Sequence, residues 1–203
     1  MRSLSAHRLS ARLAGRVCSS ALAPYFLLTM LLLGGPVTSP AQQDLPTEFQ
    51  VKAAYLYNFG KFVQRTAGQS PDHGPFEICV LGKDPFGRVL DSTVAGEKIA
   101  GQQIAIKRLS QPEEMGQCNI LYISTSEEAR LGAVLGTAER LSVLTVSDIP
   151  RFTERGGIIG FVTRDDRVRF EVNRAVAEES HVALSSELLK VAIRVINKAS
   201  PHS

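Results

Sequence analysis

The sequence predicts an α/β domain in three layers, with a largely parallel sheet flanked by helices and an antiparallel hairpin strand near the C-terminus. Three observations lead there. Beyond residue 75, short β-rich runs alternate with segments of helical period. Runs such as Ile120–Ile123 are apolar without alternation, as strands covered on both faces are. Residues 158–163 and 167–172 are β-rich and joined by Arg164, Asp165 and Asp166, which is a hairpin signal.

The elements follow in order. Over residues 46–63, Phe49, Ala53, Leu56, Phe59 and Phe62 or Val63 recur at helical spacing, and Pro46 suits a first turn. Residues 66–75, rich in Gly, Ser, Pro and Asp, read as an exposed loop. Phe76–Leu81 is a strand, 84–94 a helix opened by Asp84 and Pro85, and 104–109 a strand that alternates apolar and polar residues. Residues 112–115 make at most one helical turn. The buried strand over 119–123 is followed by Ser124, Thr125 and Ser126, which can cap a helix over 127–140. Ser124 with Glu127, or Thr125 with Glu128, has capping-box spacing. Another strand spans 143–146, and Asp148 with Pro150 opens a short helix that Gly156 and Gly157 end. In the last predicted strand Val168, Phe170 and Val172 share one face and Arg167, Arg169 and Glu171 the other, so one face meets solvent or a partner. Residues 184–196 keep helical period, with Ser185 or Ser186 as candidate cap.

The first acidic residue is Asp44, and the segment before it carries Arg2, Arg8, Arg12 and Arg16. An apolar run over 25–33 is followed by Gly34, Gly35 and Pro36, then by a small-residue site. This is the order of a signal peptide, with cleavage after Ala41 favoured by Ser39 and Ala41 at the −3 and −1 positions. The run is too short for a transmembrane helix, and Cys18 precedes it, which argues against lipid attachment. The expected organisation is a signal peptide over 1–41 and one domain over 42–203. Four of the 23 Lys and Arg residues lie in the leader, so the remainder holds 19 against 20 Asp and Glu. A net charge of −1 argues against a nucleic-acid partner.

Little in the mature chain suits catalysis. Only His73, in the polar loop, and His181, near a helix boundary, are available as acid, base or ligand, and solvated or capping roles suit both. No HxxEH, HExxH or Cys-x-x-Cys spacing exists, so no metal is expected. Gly156, Gly157 and Gly160 precede a strand and do not open a helix, which is the wrong context for a phosphate-cradling loop. Ser186 and Lys190 stand four apart, not the three of a Ser-x-x-Lys pair. No catalytic residue and no cofactor are expected. Cys79 and Cys118 are the two cysteines left after export, and an oxidising compartment would join a compatible pair. The alternative is two buried free thiols too far apart to bridge.

Seven stretches taken in order resemble the YfiR-like periplasmic family: Glu48–Phe62 (EFQVKAAYLYNFGKF), 76–87 (FEICVLGKDPFG), 118–124 (CNILYIS), 143–148 (VLTVSD), 156–162 (GGIIGFV), Arg167–Asn173 (RVRFEVN) and 184–192 (LSSELLKVA). The resemblance implies a periplasmic, non-enzymatic regulator that binds the periplasmic sensor domain of an inner-membrane diguanylate cyclase and holds it inactive, so that release raises cyclic-di-GMP and favours biofilm. It also implies a homodimer and sequestration by an OmpA-like outer-membrane protein. Cys79 and Cys118 fall where the best-known member has one of two disulfides. Thr153 and Gly160 stand where the other would be, so that bridge is absent here. Glu171 matches a residue implicated in repression. Arg167, Arg169 and Glu171 then form a candidate partner-binding row that can steer an approaching surface, although a solvated strand face has the same pattern. The rival expectation is a periplasmic small-ligand binding module feeding another membrane receptor or a histidine kinase, with its pocket at the carboxyl ends of the parallel strands near Gly82, Ser124 and Ser147.

Overall fold

The computed structural model describes residues 46–65 and 74–197. The expected leader, the cleavage site at Ala41 and His73 lie outside the described residues.

Helix α1 spans Glu48–Phe62. Thr47 caps it. Its Oγ1 accepts from the Gln50 N–H at 3.3 Å, and the Gln50 side chain accepts from the Thr47 N–H at 2.6 Å. Pro46, expected inside the first turn, therefore stands ahead of the cap. The helix buries Ala53, Leu56 and Phe59, and each large side chain so covered is worth about 1.5–3 kcal/mol. Phe59 meets Phe170 edge-on with ring centroids 5.0 Å apart, and Tyr55 meets the same ring at 5.5 Å.

The strands are β1 (Val63–Arg65), β2 (Phe76–Leu81), β3 (Lys98–Ile99), β4 (Gln102–Leu109), β5 (Ile120–Ile123), β6 (Leu144–Ser147), β7 (Ile159–Arg164), β8 (Arg167–Asn173), β9 (Val182–Leu184) and β10 (Arg194–Ile196). Eight form one sheet in the order β10-β8-β7-β6-β5-β2-β4-β3, and β1 pairs with β9 apart from it. Strands β4, β2, β5, β6 and β7 run parallel in sequence of position, with β3 antiparallel on one side and β8 antiparallel to β7 on the other. Helices α2 (Arg88–Val94), α3 (Leu131–Arg140), α4 (Arg174–Glu179) and α5 (Ser186–Val191), with three 3-10 turns, complete the chain.

Strand alternation divides the core into two layers. Ile78, Val80, Ile120, Tyr122, Leu144 and Val146 pack with α1 and α2. On the opposite side Leu81, Leu121 and Ile123 pack with Leu131, Val134 and Ala138 of α3, and with Met115 and Phe152 from the 3-10 turns. Helices on both faces of a mainly parallel sheet are the architecture the alternating pattern predicts. Among the described residues no helix is long and apolar enough to cross a membrane.

Cys79 and Cys118 are joined, with their Cα atoms 5.9 Å apart. The free-thiol alternative is thereby removed, and the bridge is consistent with an oxidising compartment such as the periplasm. Both cysteines are fully buried beneath the 3-10 turn Pro112–Gln117.

Several expected boundaries move. Residues 184–196 are not one helix: α5 ends where Ala192 turns extended, and Arg194–Ile196 pairs in parallel with Glu171–Asn173. The reversal at Ala192 carries two β-branched residues, Val195 and Ile196, onto the sheet. The expected helix over 127–140 begins as the 3-10 turn Thr125–Arg130, and only Leu131–Arg140 is α-helical. Ser124 does cap it by accepting from the Ser126 N–H. Glu127 and Glu128 complete no capping box because their carboxylates bind Arg130 and Arg155. Asp84 precedes helix α2 and accepts from the Phe86 N–H at 2.7 Å, so the helix starts at Arg88. The short helix after Pro150 is a 3-10 turn, Phe152–Arg155, ended by left-handed Gly156.

Candidate partner-binding face

The β7–β8 hairpin turns at Asp165 and Asp166, whose φ values of 51° and 54° are both left-handed. That is the type I′ geometry that matches strand twist, and Asp tolerates it better than most residues. The turn fixes the register. Ile159, Phe161 and Thr163 stand opposite Val172, Phe170 and Val168, while Gly160, Val162 and Arg164 stand opposite Glu171, Arg169 and Arg167. The first set packs toward α1, so the second faces away from it.

Only part of that second face is covered. The turn Phe152–Arg155 lies over its inner end, where a Cβ on Gly160 would stand 3.2 Å from the Thr153 methyl group. Glu171 is held there. Its Oε2 accepts from Arg194 Nη2 at 2.8 Å and from Thr153 Oγ1 at 3.3 Å, which leaves the side chain 17% exposed. Arg194 also donates to Glu154 at 2.8 Å. Its hydrogen bonds to Glu154 and then Glu171 raise the guanidinium further above its usual value.

The outer end differs. Arg164 and Arg167 are exposed, Arg169 is half-buried, and none of the three forms an ion pair with any described residue. Arg164 and Arg167 sit directly across from each other, a like-charge pairing that disfavours the hairpin. Strand β10 covers β8 only along Glu171–Asn173, so among the described residues Arg167 and Arg169 have no strand on their outer side. A groove of about 610 Å³ runs along this free edge beside α1, with Val51 and Tyr55 on one wall and Val168 and Arg169 on the other.

The carboxyl ends of the parallel strands, the expected place for a small ligand, are filled by the chain's own groups. Ser147 is fully buried; its Oγ donates to the Ile123 carbonyl at 2.6 Å and accepts from the Ile149 N–H at 3.0 Å. Ser126 accepts from the Lys83 N–H at 3.0 Å and donates to Glu127 at 3.2 Å, and Arg130 binds Glu127, Gln111 and the Ser110 carbonyl. A Cβ on Gly82 would collide with Ser126 and Glu127.

Three polar groups in the core escaped the sequence reading. Lys52 is only 3% exposed, paired with Glu48 at 2.6 Å and Asp148 at 2.7 Å, and its ammonium lies 5.0 Å from the centre of the Phe49 ring. Tyr122 donates to the other Asp148 oxygen at 2.8 Å. Burial, and then the Asp148 charge, push the Tyr122 phenol well above its usual value. Glu77 is the charged residue within an apolar strand, and it pairs with Lys107 at 2.6 Å. A lone charge in a buried run was the available signal. His181 is exposed at a left-handed position after α4 and its N–H donates to the Glu178 carbonyl at 3.1 Å, while Ser185 caps α5 and Lys190 pairs with Glu187.

Solved structures give distant likenesses. A "conserved domain protein" of Vibrio cholerae O1 biovar El Tor is 10% identical, with a TM-score of 0.45 over 59% of this chain and 54% of its own. An ABC domain from Streptococcus pneumonia in complex with L-Trp is 11% identical, with a TM-score of 0.47 over 71% and 60%. The Clostridium difficile substrate binding protein CD0873, in its open form, is 11% identical, with a TM-score of 0.40 over 64% and 56%. The chain thus spans a little over half the length of these chains. No curated protein matches it. A YfiR/HmsC-like family model does match, over residues 49–193, and on that span the chain belongs to the YfiR/HmsC-like family, whose members regulate diguanylate cyclases.

Proposed function

We propose that this protein is a periplasmic, non-catalytic repressor that binds the periplasmic sensor domain of an inner-membrane diguanylate cyclase and lowers cyclic-di-GMP, and with it biofilm. It reaches the periplasm by a signal peptide cleaved near Ala41, acts as a homodimer, and is released when an OmpA-like outer-membrane protein sequesters it. The observation that carries the reading is the outer end of the hairpin: among the described residues, Arg167 and Arg169 have no ion pair and stand beside an unpaired edge of β8. Uncompensated arginines at a sheet edge cost stability, and an acidic partner surface would neutralise them. Glu171, held by Arg194, sets the inner limit of that contact. The groove beside α1 supplies the apolar component that an interface core needs. A binding surface requires no nucleophile and no activated water. At the strand ends the groups a small ligand would use are already bonded to one another, which favours the repressor reading over a ligand-binding module.

The test pairs affinity capture with nucleotide measurement. Wild-type protein should retain a diguanylate cyclase from solubilised inner membranes, and deleting its gene should raise cyclic-di-GMP. The Arg167→Glu/Arg169→Glu variant should stay folded, fail to retain the cyclase and fail to restore the low nucleotide level. If the wild type retains no cyclase and the nucleotide stays flat on deletion, the proposal is wrong.

A further inference from the structure

Strand β2 places Glu77 and Cys79 two residues apart on the same face, and the bridge brings Cys118 to them from the end of the 3-10 turn Pro112–Gln117. One carboxylate oxygen of Glu77 and the two sulfurs all lie within 4.8 Å of one another, and all three residues are buried. The Glu77 side chain is only 6% exposed, yet Oε2 has no hydrogen-bond partner among the described residues. Its other oxygen is the one that Lys107 Nζ binds. An unpartnered buried carboxylate oxygen is expensive and requires a reason.

We infer that reduction of the Cys79–Cys118 bridge turns Glu77, Cys79 and Cys118 into a binding site for a zinc-class divalent ion. A dithiol reductant gives two electrons and two protons to the disulfide and is itself oxidised to a disulfide. Metal binding then releases the two thiol protons to solvent and leaves two thiolates and one carboxylate as ligands. Two thiolates select zinc over calcium or magnesium, which take oxygen ligands. Three protein ligands leave a fourth position for water. The geometry asks for little movement. Sulfurs on a tetrahedral zinc stand about 3.8 Å apart, so they separate by less than about 2 Å from their bonded distance. The Cα separation of 5.9 Å accommodates that change through side-chain rotation. The entry path is Lys107, whose side chain is 44% exposed and whose ammonium competes for the same carboxylate. The inference does not depend on which surface binds a partner.

Cobalt(II), a spectroscopic stand-in for zinc, reads thiolate ligation directly. After anaerobic reduction with a phosphine, the protein should take up one cobalt(II) per chain with thiolate charge-transfer bands, and zinc should displace it. The oxidised protein should show neither. Glu77→Gln should weaken binding at least about tenfold, whereas Lys107→Ala should tighten it by removing the competing charge. The Cys79→Ser/Cys118→Ser variant should lose the bands while keeping its far-ultraviolet circular dichroism. Three outcomes overturn the inference: no thiolate bands in the reduced protein, equal binding in Glu77→Gln, or unfolding on reduction before metal is taken up.

Discussion

Replacing both bridge cysteines, Cys79→Ala with Cys118→Ala, isolates what the disulfide does for stability. The bond spans a sequence separation of 39. In the chain-entropy model, closing a loop of that length removes about 13 cal/mol/K from the unfolded ensemble, or about 4 kcal/mol at room temperature. Both side chains are fully buried, so each truncation adds a small loss of packing on top. The sequence has no Trp, so urea denaturation is best followed by far-ultraviolet circular dichroism. With a urea slope of about 2 kcal/mol/M the midpoint should fall by about 2 M, and the thermal midpoint by roughly 8–16 °C. The slope itself should rise, because an uncrosslinked unfolded chain exposes more surface. A loss below about 1 kcal/mol, with the slope unchanged, would refute the argument that the bridge acts on the unfolded chain.

Other perturbations test other parts of the structure. Tyr122 has its phenol raised above the 10.0 expected when unfolded, so its stabilisation is complete below pH 10 and declines above it; Tyr122→Phe should reduce the alkaline slope of stability by up to about 1.4 kcal/mol per pH unit. Asp91, whose carboxyl is lowered by its hydrogen bond to Arg108, has the opposite sign: its contribution is present above pH 3.8 and lost as pH falls, and Asp91→Asn should flatten the acid limb in pH-dependent melts. Because both partners are well exposed, that contribution stays at or below about 1 kcal/mol. Gly157→Ala should destabilise by about 1–3 kcal/mol in thermal melts, since the added Cβ would come within 2.1 Å of the Phe152 ring. Arg167→Thr should leave stability unchanged or raise it by up to about 1 kcal/mol by relieving Arg164, while slowing association with the partner in surface plasmon resonance.

Much of the fold was legible because its signals are local. Phe76–Leu81 falls where the apolar run lies, since a strand covered on both faces leaves no alternation to misread. The hairpin was legible because Val168, Phe170 and Val172 alternate with charged residues, and the observed register keeps the two sets on opposite faces. What was hidden depends on distant contacts. Strand β10 is three residues long and acquires its identity from Glu171–Asn173, so the helical period running into it outweighed two β-branched residues. Lys52 reads as a solvated residue on a helix, because its partner Asp148 is 96 positions away. For the candidate face, the charged row was visible in the sequence. That Arg194 holds Glu171 while Arg167 and Arg169 have no ion pair among the described residues depends on where β10 begins.

The first helix has a further consequence for how the chain reaches this state. Its ammonium at Lys52 finds Asp148, and its ring at Phe59 finds Phe161 and Phe170, only after about a hundred more residues exist. Phe49 can meet Phe86 early, but the inner part of the aromatic stripe waits for the later half of the domain. Such long sequence separations slow the final search and lengthen exposure to aggregation. Closing the core over β7 and β8 thus depends on the helix at Glu48–Phe62, so a holdase that shelters this helix should raise the yield of folded protein more than one acting on the later strands.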